Sequence, residues 1–252
     1  MSNGGFLLDS GPSGTLLALL LAGHVLGDFL FQTRQMVERK GDSLAWLAAH
    51  AAVVTLVHVL VLLPIFAGRG LVLVLVLGAG HLVLDRAKAR LGDARAVWFL
   101  CDQALHLALV FLVWRVWAAW VGVEPVLPYS QRELDTVTVA AVLVSAYAFN
   151  VNGGATIVAM VVRSRPAAAG SEPPVGGREL AGGRIIGILE RMLVLTLVLV
   201  DQWGALGLVF AAKSIARFRE LEDRAFGEYY LVGTLSSLLV AIATGLLVTL
   251  LI

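Results

Sequence analysis

The stretch LLALLLAGHVLGDFLFQ (16–32) places His24, Asp28 and Gln32 at four-residue intervals in an otherwise apolar run. Side chains four residues apart lie on the same face of an α-helix. Ionisable groups cost about 2.5–3.5 kcal/mol each at the centre of a membrane helix on insertion scales, so they mark functional sites. The stretch therefore predicts a membrane helix with a functional polar face.

The composition around this stretch is that of a membrane protein. The chain has 252 residues, of which 59% are hydrophobic and 15% charged, with a mean hydropathy of +0.87. A soluble domain would be about a quarter charged. We therefore expect an all-α, polytopic membrane protein with about eight transmembrane helices, of which the seventh is short enough to be re-entrant instead of spanning. The predicted helices are residues 14–35, 43–66, 69–88, 96–121, 135–162, 183–201, 203–218 and 229–252.

Basic residues fall in alternate loops of this scheme, after the first, third, fifth and seventh helices. The positive-inside rule then places these loops in the cytoplasm and both termini outside. The pattern survives only if 203–218 crosses the membrane, and it predicts a multi-pass membrane protein. The formal net charge of +1 argues against a nucleic-acid partner, and the lone Cys101 excludes an internal disulfide and is expected to fill a small buried space.

Four segments are expected along the chain. A four-helix membrane module occupies 1–122, a fifth membrane helix 123–162, a flexible cytoplasmic linker 163–183, and C-terminal membrane helices 184–252. The linker is rich in Pro, Gly, Ala and Arg. The motif FNVNGG (149–154) predicts an interruption of the fifth helix. Helical spacing of Lys213, Arg217, Glu220 and Arg224 predicts a charged strip at the cytoplasmic interface.

Histidine and aspartate are concentrated on the first four predicted helices, near their cytoplasmic ends. Three helices carry a His/Asp pair four residues apart, and the fourth carries His50 alone. Each pair by itself is compatible with a polar pair satisfied between helices. Together the imidazoles and carboxylates suit a divalent transition metal, Zn, Fe or Mn, with one or two ions. The predicted metal ligands are His24, Asp28, His81, Asp85, Asp102 and His106.

Other polar residues receive supporting roles. His50 and Glu190 are candidate catalytic groups, either as a general base or as further ligands; an interhelical salt bridge is an equal alternative for Glu190. His58 is expected to form an interhelical hydrogen bond, and Gly23 and Gly27 a close helix contact. The candidate substrate-binding residues are Gln32, Lys88 and Gln103.

Four segments together resemble a bacterial and phage integral membrane family catalogued as domain of unknown function 3307: HVLGDFLFQ (24–32), the lone His50, HLVLDRAKARL (81–91) and DQALH (102–106). The family's hallmark is an H-x-x-G-D-F-x-x-Q segment followed by further intramembrane His and Asp residues. The resemblance covers roughly residues 14–121 and implies no particular reaction. The segment AAKSIARFRELEDRAFGEYYLVGTLSS (211–237) looks like the C-terminal part of longer members. The H-x-x-x-D pairs are also loosely similar to those of small metal-dependent membrane hydrolases.

Two functions follow as hypotheses. The first is a metal-dependent hydrolase that acts at the cytoplasmic leaflet on a lipid or lipid-linked phosphate or ester. The second is a transporter, coupled to protons or a divalent metal, that uses the same intramembrane residues. A non-catalytic membrane scaffold is a third reading. The expected partner is a membrane lipid or lipid-linked substrate, and a homo-oligomer is compatible with the sequence.

Overall fold

The described residues of the structure, a computed structural model, are 11–66, 68–91, 96–164 and 177–252. They form helices and loops without a strand. All eight predicted helices are present, and a short one is added after the first. The α-helices are α1 (Pro12–Val25), α2 (Arg34–Arg39), α3 (Leu44–Leu62), α4 (Leu71–Leu91), α5 (Ala96–Val116), α6 (Gln131–Arg163), α7 (Gly177–Leu199), α8 (Trp203–Ala216) and α9 (Arg224–Leu251).

Five of these helical segments are long and apolar enough to cross a membrane: Pro12–Leu30, Leu44–Leu62, Val97–Val121, Gln131–Arg163 and Phe226–Leu251. α4 and α7 are also long but carry more charge. α8 is a shorter apolar helix of 14 residues. At 1.5 Å per residue it spans about 21 Å, less than the ~30 Å hydrocarbon core.

The chain divides into two compact units, Met1–Phe149 with Leu250–Ile252, and Asn150–Thr249. In the first unit α1 packs on α3 and α5, and α4 packs on the same two helices, so that the four close into a ring. Large apolar side chains fill one end of this ring, including Leu16, Leu20, Leu62, Val113 and Trp117. The polar side chains that the sequence singled out lie toward the other end.

The first helix ends earlier than the sequence predicts. It widens into a π-helical turn at Leu26–Leu30 and stops there, whereas the prediction extended it to residue 35. Thr33 then caps α2, accepting a hydrogen bond from the backbone N–H of Met36. Gln32 consequently lies in the connection after the helix and not on its polar face.

Gly23 and Gly27 hold α1 against α3, as the sequence predicts. A Cβ atom on Gly23 would lie 2.5 Å from Cδ2 of His58, and one on Gly27 would lie 3.2 Å from Cα of Val54. Atoms this close would overlap, so the two helices approach as they do only because both positions lack a side chain. His58 itself is fully buried, with Nδ1 2.8 Å from the Val54 carbonyl oxygen and Nε2 3.1 Å from that of Leu20. It links α3 to α1.

In the second unit α6 runs without interruption to Arg163, so the predicted break at FNVNGG is wrong. Gly154 instead leaves room for a large side chain, because a Cβ there would lie 3.0 Å from Nε of Arg191 on α7. α7 begins at Gly177, within the predicted linker; residues 165–176 of that linker lie outside the described residues.

Two further expectations need correction. Cys101 is exposed on α5 instead of filling buried space. The predicted charged strip is not one helical face, because α8 ends at Ala216 and a 3₁₀ turn, Glu220–Glu222, precedes α9. Its members pair locally, Arg217 with Glu220 at 2.9 Å and Arg224 with Glu228 at 3.2 Å.

Candidate metal centre

Seven ionisable side chains from four helices converge inside the first unit. α1 with its π turn supplies His24 and Asp28, α3 supplies His50, α4 supplies His81 and Asp85, and α5 supplies Asp102 and His106. All are buried or nearly so; the Asp28 side chain, at 9% exposed, is the most accessible. These are the six predicted metal ligands together with His50.

The centre of this cluster is formed by the Nε2 atoms of His50 and His81, which lie 3.1 Å apart. Asp28 Oδ1 is 3.4 Å from the first and 3.3 Å from the second. Asp85 Oδ2 is 3.4 Å from the first and 3.7 Å from the second. Two ring nitrogens at this separation either share one proton or turn both lone pairs to one cation, and the two carboxylates face the same point.

A second pair adjoins the first. His106 Nδ1 is 2.8 Å from the backbone carbonyl oxygen of Asp102 and 3.6 Å from its Oδ1. A carbonyl oxygen only accepts, so Nδ1 carries the proton and Nε2 is left with its lone pair. That Nε2 is buried without a hydrogen-bond partner. It is therefore available as a ligand atom.

Three groups of residues have ligand atoms within 4.8 Å of one another: His24, Asp28 and His81; His50, His81 and Asp85; and Asp85, Asp102 and His106. Neighbouring groups share a member, first His81 and then Asp85. The cluster is thus continuous, with the Asp85 carboxylate facing ligands on both sides. A shared carboxylate of this kind is compatible with one ion or with two neighbouring ions.

Aromatic contacts fix the orientation of the imidazoles. The rings of His24 and His106 are stacked, with centroids 5.6 Å apart and 12° between their planes. The ring of His81 lies edge-on to His106 at 4.3 Å and to His50 at 5.0 Å. Each ring is therefore held by a neighbouring ring as well as by its helix.

Two further buried polar atoms of the cluster have no hydrogen-bond partner. Asp28 Oδ1 and His50 Nδ1 are buried and make no hydrogen bond, although Asp28 Oδ1 has two imidazole nitrogens near it. Burying a polar atom without a hydrogen bond costs about 1–3 kcal/mol. Contacts at hydrogen-bond length without hydrogen-bond geometry are what ligand atoms around a cation show.

Two lysines lie on the more accessible side of the cluster. Lys40, which follows α2, donates to Asp85 Oδ2 at 2.8 Å, and Lys88 donates to Asp102 Oδ2 at 2.6 Å. Their side chains are 20% and 36% exposed, against 3% and 5% for the two carboxylates. The lysines therefore lie between the buried acids and the outside. With neutral imidazoles, three carboxylates and two ammonium groups leave a buried net charge of −1, which favours a cation.

The predicted substrate-binding residues are at the same edge. Gln103 donates to Asp102 Oδ2 at 3.2 Å. Gln32 reaches back from the connection after α1: with its amide nitrogen 3.2 Å from the Asp28 backbone oxygen, its amide oxygen lies 2.8 Å from Lys40 Nζ and 3.3 Å from His50 Nε2. Gln32 thus lies beside the cluster, but it reaches there from a loop and not from the helix face that the sequence predicts.

Glu190 is not among these residues. It belongs to the second unit, where it accepts from Lys213 Nζ at 2.6 Å. This is an interhelical salt bridge, the alternative that the sequence left open for Glu190. Its catalytic role stays a prediction.

Lys40 is the site residue that sequence reasoning missed. It was read only as part of a basic loop that sets orientation, because no apolar span carries it. The signal was its place between α1 and α3, at the end of the module where all the His/Asp residues lie.

The comparisons with known proteins agree with the N-terminal resemblance. Residues 16–128 match the family described as "Protein of unknown function (DUF3307)". The matched segment contains every residue of the cluster. No curated protein and no solved structure matches the chain.

Proposed function

We propose that the first unit is a metal-dependent hydrolase that acts on a lipid or lipid-linked phosphate ester at the cytoplasmic face of a bacterial inner membrane. The observation that carries the proposal is the convergence of His50 Nε2, His81 Nε2 and the carboxylates of Asp28 and Asp85, with the unpartnered Nε2 of His106 beside them. The donor set of imidazole and carboxylate suits Zn, Fe or Mn.

A divalent ion held by these residues would polarise a phosphoryl oxygen and lower the pKa of a bound water. The protein residues then have distinct tasks. Lys40 and Lys88, released from Asp85 and Asp102, bind the anionic phosphate from the accessible side. Gln32 and Gln103 orient the carboxylates and the substrate. In the overall reaction, water adds to phosphorus and the alcohol leaves with a proton.

The position of the lysines supports an anionic substrate. They are more exposed than the carboxylates that they contact, by which the metal would be held. A phosphate that approaches the metal would therefore meet both ammonium groups first. A neutral ester carries no negative charge for two ammonium groups to bind, so the lysines favour a phosphate substrate.

The topology is part of the proposal. Basic residues in alternate loops, which all lie on one side of the membrane, support a cytoplasmic position for the cluster end of the first unit and an outside position for both termini. All eight predicted apolar helices would then cross, including α4, α7 and the short α8, with the C-terminal charges at the cytoplasmic surface. A lipid substrate reaches such a site laterally from the inner leaflet.

The transporter alternative requires a polar route beyond the cluster. In the described part of the first unit, the buried side chains toward the opposite end are apolar except for the pair Thr15 and Thr138 and for His58. Thr15 Oγ1 bonds to Thr138 Oγ1 at 2.9 Å, and both ring nitrogens of His58 face backbone carbonyls. Both groups are occupied structurally, which favours the enzyme.

The test is metal content by mass spectrometry on the detergent-purified full chain, followed by phosphate release from phosphatidic acid in mixed micelles. Wild type should hold one or two ions per chain, and Asp85→Ala should lose them together with turnover. Asp42→Ala, at an exposed carboxylate in the loop before α3, is the matched control and should keep both. A metal-free wild type purified without chelators would end the proposal. Bound metal with ion uptake into proteoliposomes and no phosphate release would favour the transporter.

A further inference from the structure

The second unit contains a buried cation that the metal centre does not explain. Arg191 on α7 is 3% exposed. Its Nε donates to the Asn150 carbonyl at 2.7 Å, Nη2 to the Val151 carbonyl at 3.4 Å, and Nη1 to Ser237 Oγ on α9 at 3.3 Å. A guanidinium has five N–H donors, so two remain for another acceptor.

No carboxylate lies within ion-pair distance of Arg191 in the described part of the chain. The adjacent Glu190 is engaged with Lys213 at 2.6 Å. Burying a charge without a partner costs several kcal/mol, and such cations inside a membrane bundle pair with an anion or mark a ligand site. Taken together, the guanidinium, the ammonium and the one carboxylate carry a net positive charge.

These three groups line a small cleft that is open to the surface of the second unit. Hydroxyl groups of Thr234 and Ser237 on α9 border it as well, and its remaining lining is apolar: Val194, Val209, Phe210 and Leu238. One part of the cleft wall therefore carries cationic and hydroxyl groups, and the other part is apolar.

An unsatisfied donor lies close by. The Tyr230 hydroxyl is buried without a hydrogen-bond partner, and Lys213 Nζ lies 5.3 Å from the centre of the same ring. A phenol hydroxyl buried without a partner is costly unless a ligand completes it. It is a second observation, independent of Arg191, of an unsatisfied donor beside Lys213.

We propose that this cleft binds a phosphate-bearing anion, either a phospholipid headgroup or free phosphate, between Arg191, Lys213 and the α9 hydroxyls. Arginine and lysine together with hydroxyl donors match the several oxygens of a phosphate group. The apolar wall suits the glycerol and acyl parts of a lipid. The site is separate from the metal centre and does not depend on the proposed hydrolase activity.

The test is binding to the full chain in detergent, followed by native mass spectrometry. The probes are dioleoyl phosphatidylglycerol, dioleoylglycerol as its phosphate-free counterpart, and inorganic phosphate as competitor. We expect phosphatidylglycerol to bind and dioleoylglycerol not to bind. Lys213→Gln should weaken binding about tenfold through the loss of a charged hydrogen bond. Glu190→Gln should strengthen binding, because it removes the competing carboxylate.

The matched control is Arg217→Gln, one turn beyond Lys213 and paired with Glu220 outside the cleft, which should bind as wild type does. Arg191→Gln should abolish binding. Because Arg191 also links three helices, this variant can fail to fold. In that case the opposite affinity shifts of Lys213→Gln and Glu190→Gln test the proposal. Displacement of the lipid by inorganic phosphate would identify free phosphate as sufficient, and its failure to compete would identify the lipid. Equal affinity for dioleoylglycerol, or shifts of the same sign in the two variants, would overturn the proposal.

Discussion

Replacing Gly23 by alanine tests the contact that brings α1 to the site. The new Cβ would lie 2.5 Å from Cδ2, 2.8 Å from Cγ and 2.9 Å from Nε2 of His58. Carbon atoms in contact prefer about 3.5–4.0 Å, so a movement of roughly 1 Å is needed. The imidazole cannot turn aside without losing its contacts to the Val54 and Leu20 carbonyls.

Overpacking of this kind costs about 1–3 kcal/mol, which corresponds to a factor of roughly 5–150 in the unfolding equilibrium. The assay is reversible unfolding of the purified protein in mixed micelles with increasing SDS. Gly207→Ala on α8, where nothing lies within 4 Å of the new Cβ, is the control and should be neutral or stabilising.

The decisive variant is the double one, Gly23→Ala with His58→Ala. Removing the ring should relieve the overlap, so the two changes should be non-additive by at least 1 kcal/mol, roughly the clash itself. Additive effects of the two substitutions would refute the reasoning, since they would mean that Gly23 and His58 do not share one space.

Two further outcomes concern Lys40 and the start of α6. Lys40→Met should destabilise the metal-free protein but raise its metal affinity, because the ammonium group and a metal compete for Asp85 Oδ2. Thermal unfolding with and without Zn²⁺ or Mn²⁺ measures both effects. Unchanged metal affinity would contradict the competition. Ser130→Ala should cost about 1 kcal/mol, because it removes one half of the capping box with Glu133 at the start of α6; SDS unfolding measures the loss, and unaltered stability would show that the cap is dispensable.

The sequence predicted most of the first unit because its signals are strong and local. Apolar runs set the helices. The four-residue His/Asp spacing singled out six residues of the cluster, and His50 was singled out as an ionisable residue within an apolar span. Gln32 was expected on the face of the first helix but lies in the loop after it, because α-helical periodicity does not show where a helix widens into a π turn. Lys40 was missed because it lies in a connection between helices. Its position beside the cluster depends on the path of that connection, which helical periodicity does not predict.

The second unit was harder to predict. FNVNGG was read as a break because glycine and asparagine weaken an isolated helix. In the structure the same residues give a continuous helix, because Gly154 makes room for Arg191, a partner 37 positions later. Spacing near the break carries no information about that partner. Likewise, the charges after Lys213 were read as one face, although two short turns separate them.

The π turn at Leu26–Leu30 has a consequence for how α1 can change over evolutionary time. A wide turn is equivalent to one extra residue in the helix, so the parts before and after it have independent rotational phases. Loss of a single codon within it would restore the α-helical phase and rotate everything that follows by about 100°. The apolar packing of Leu16 and Leu20 would survive such a deletion. The orientation of Asp28 toward His50 and His81 would be lost, and so would the position of Gln32 beside the cluster. The inherited length of this short segment, as much as its residue types, therefore keeps the polar cluster assembled.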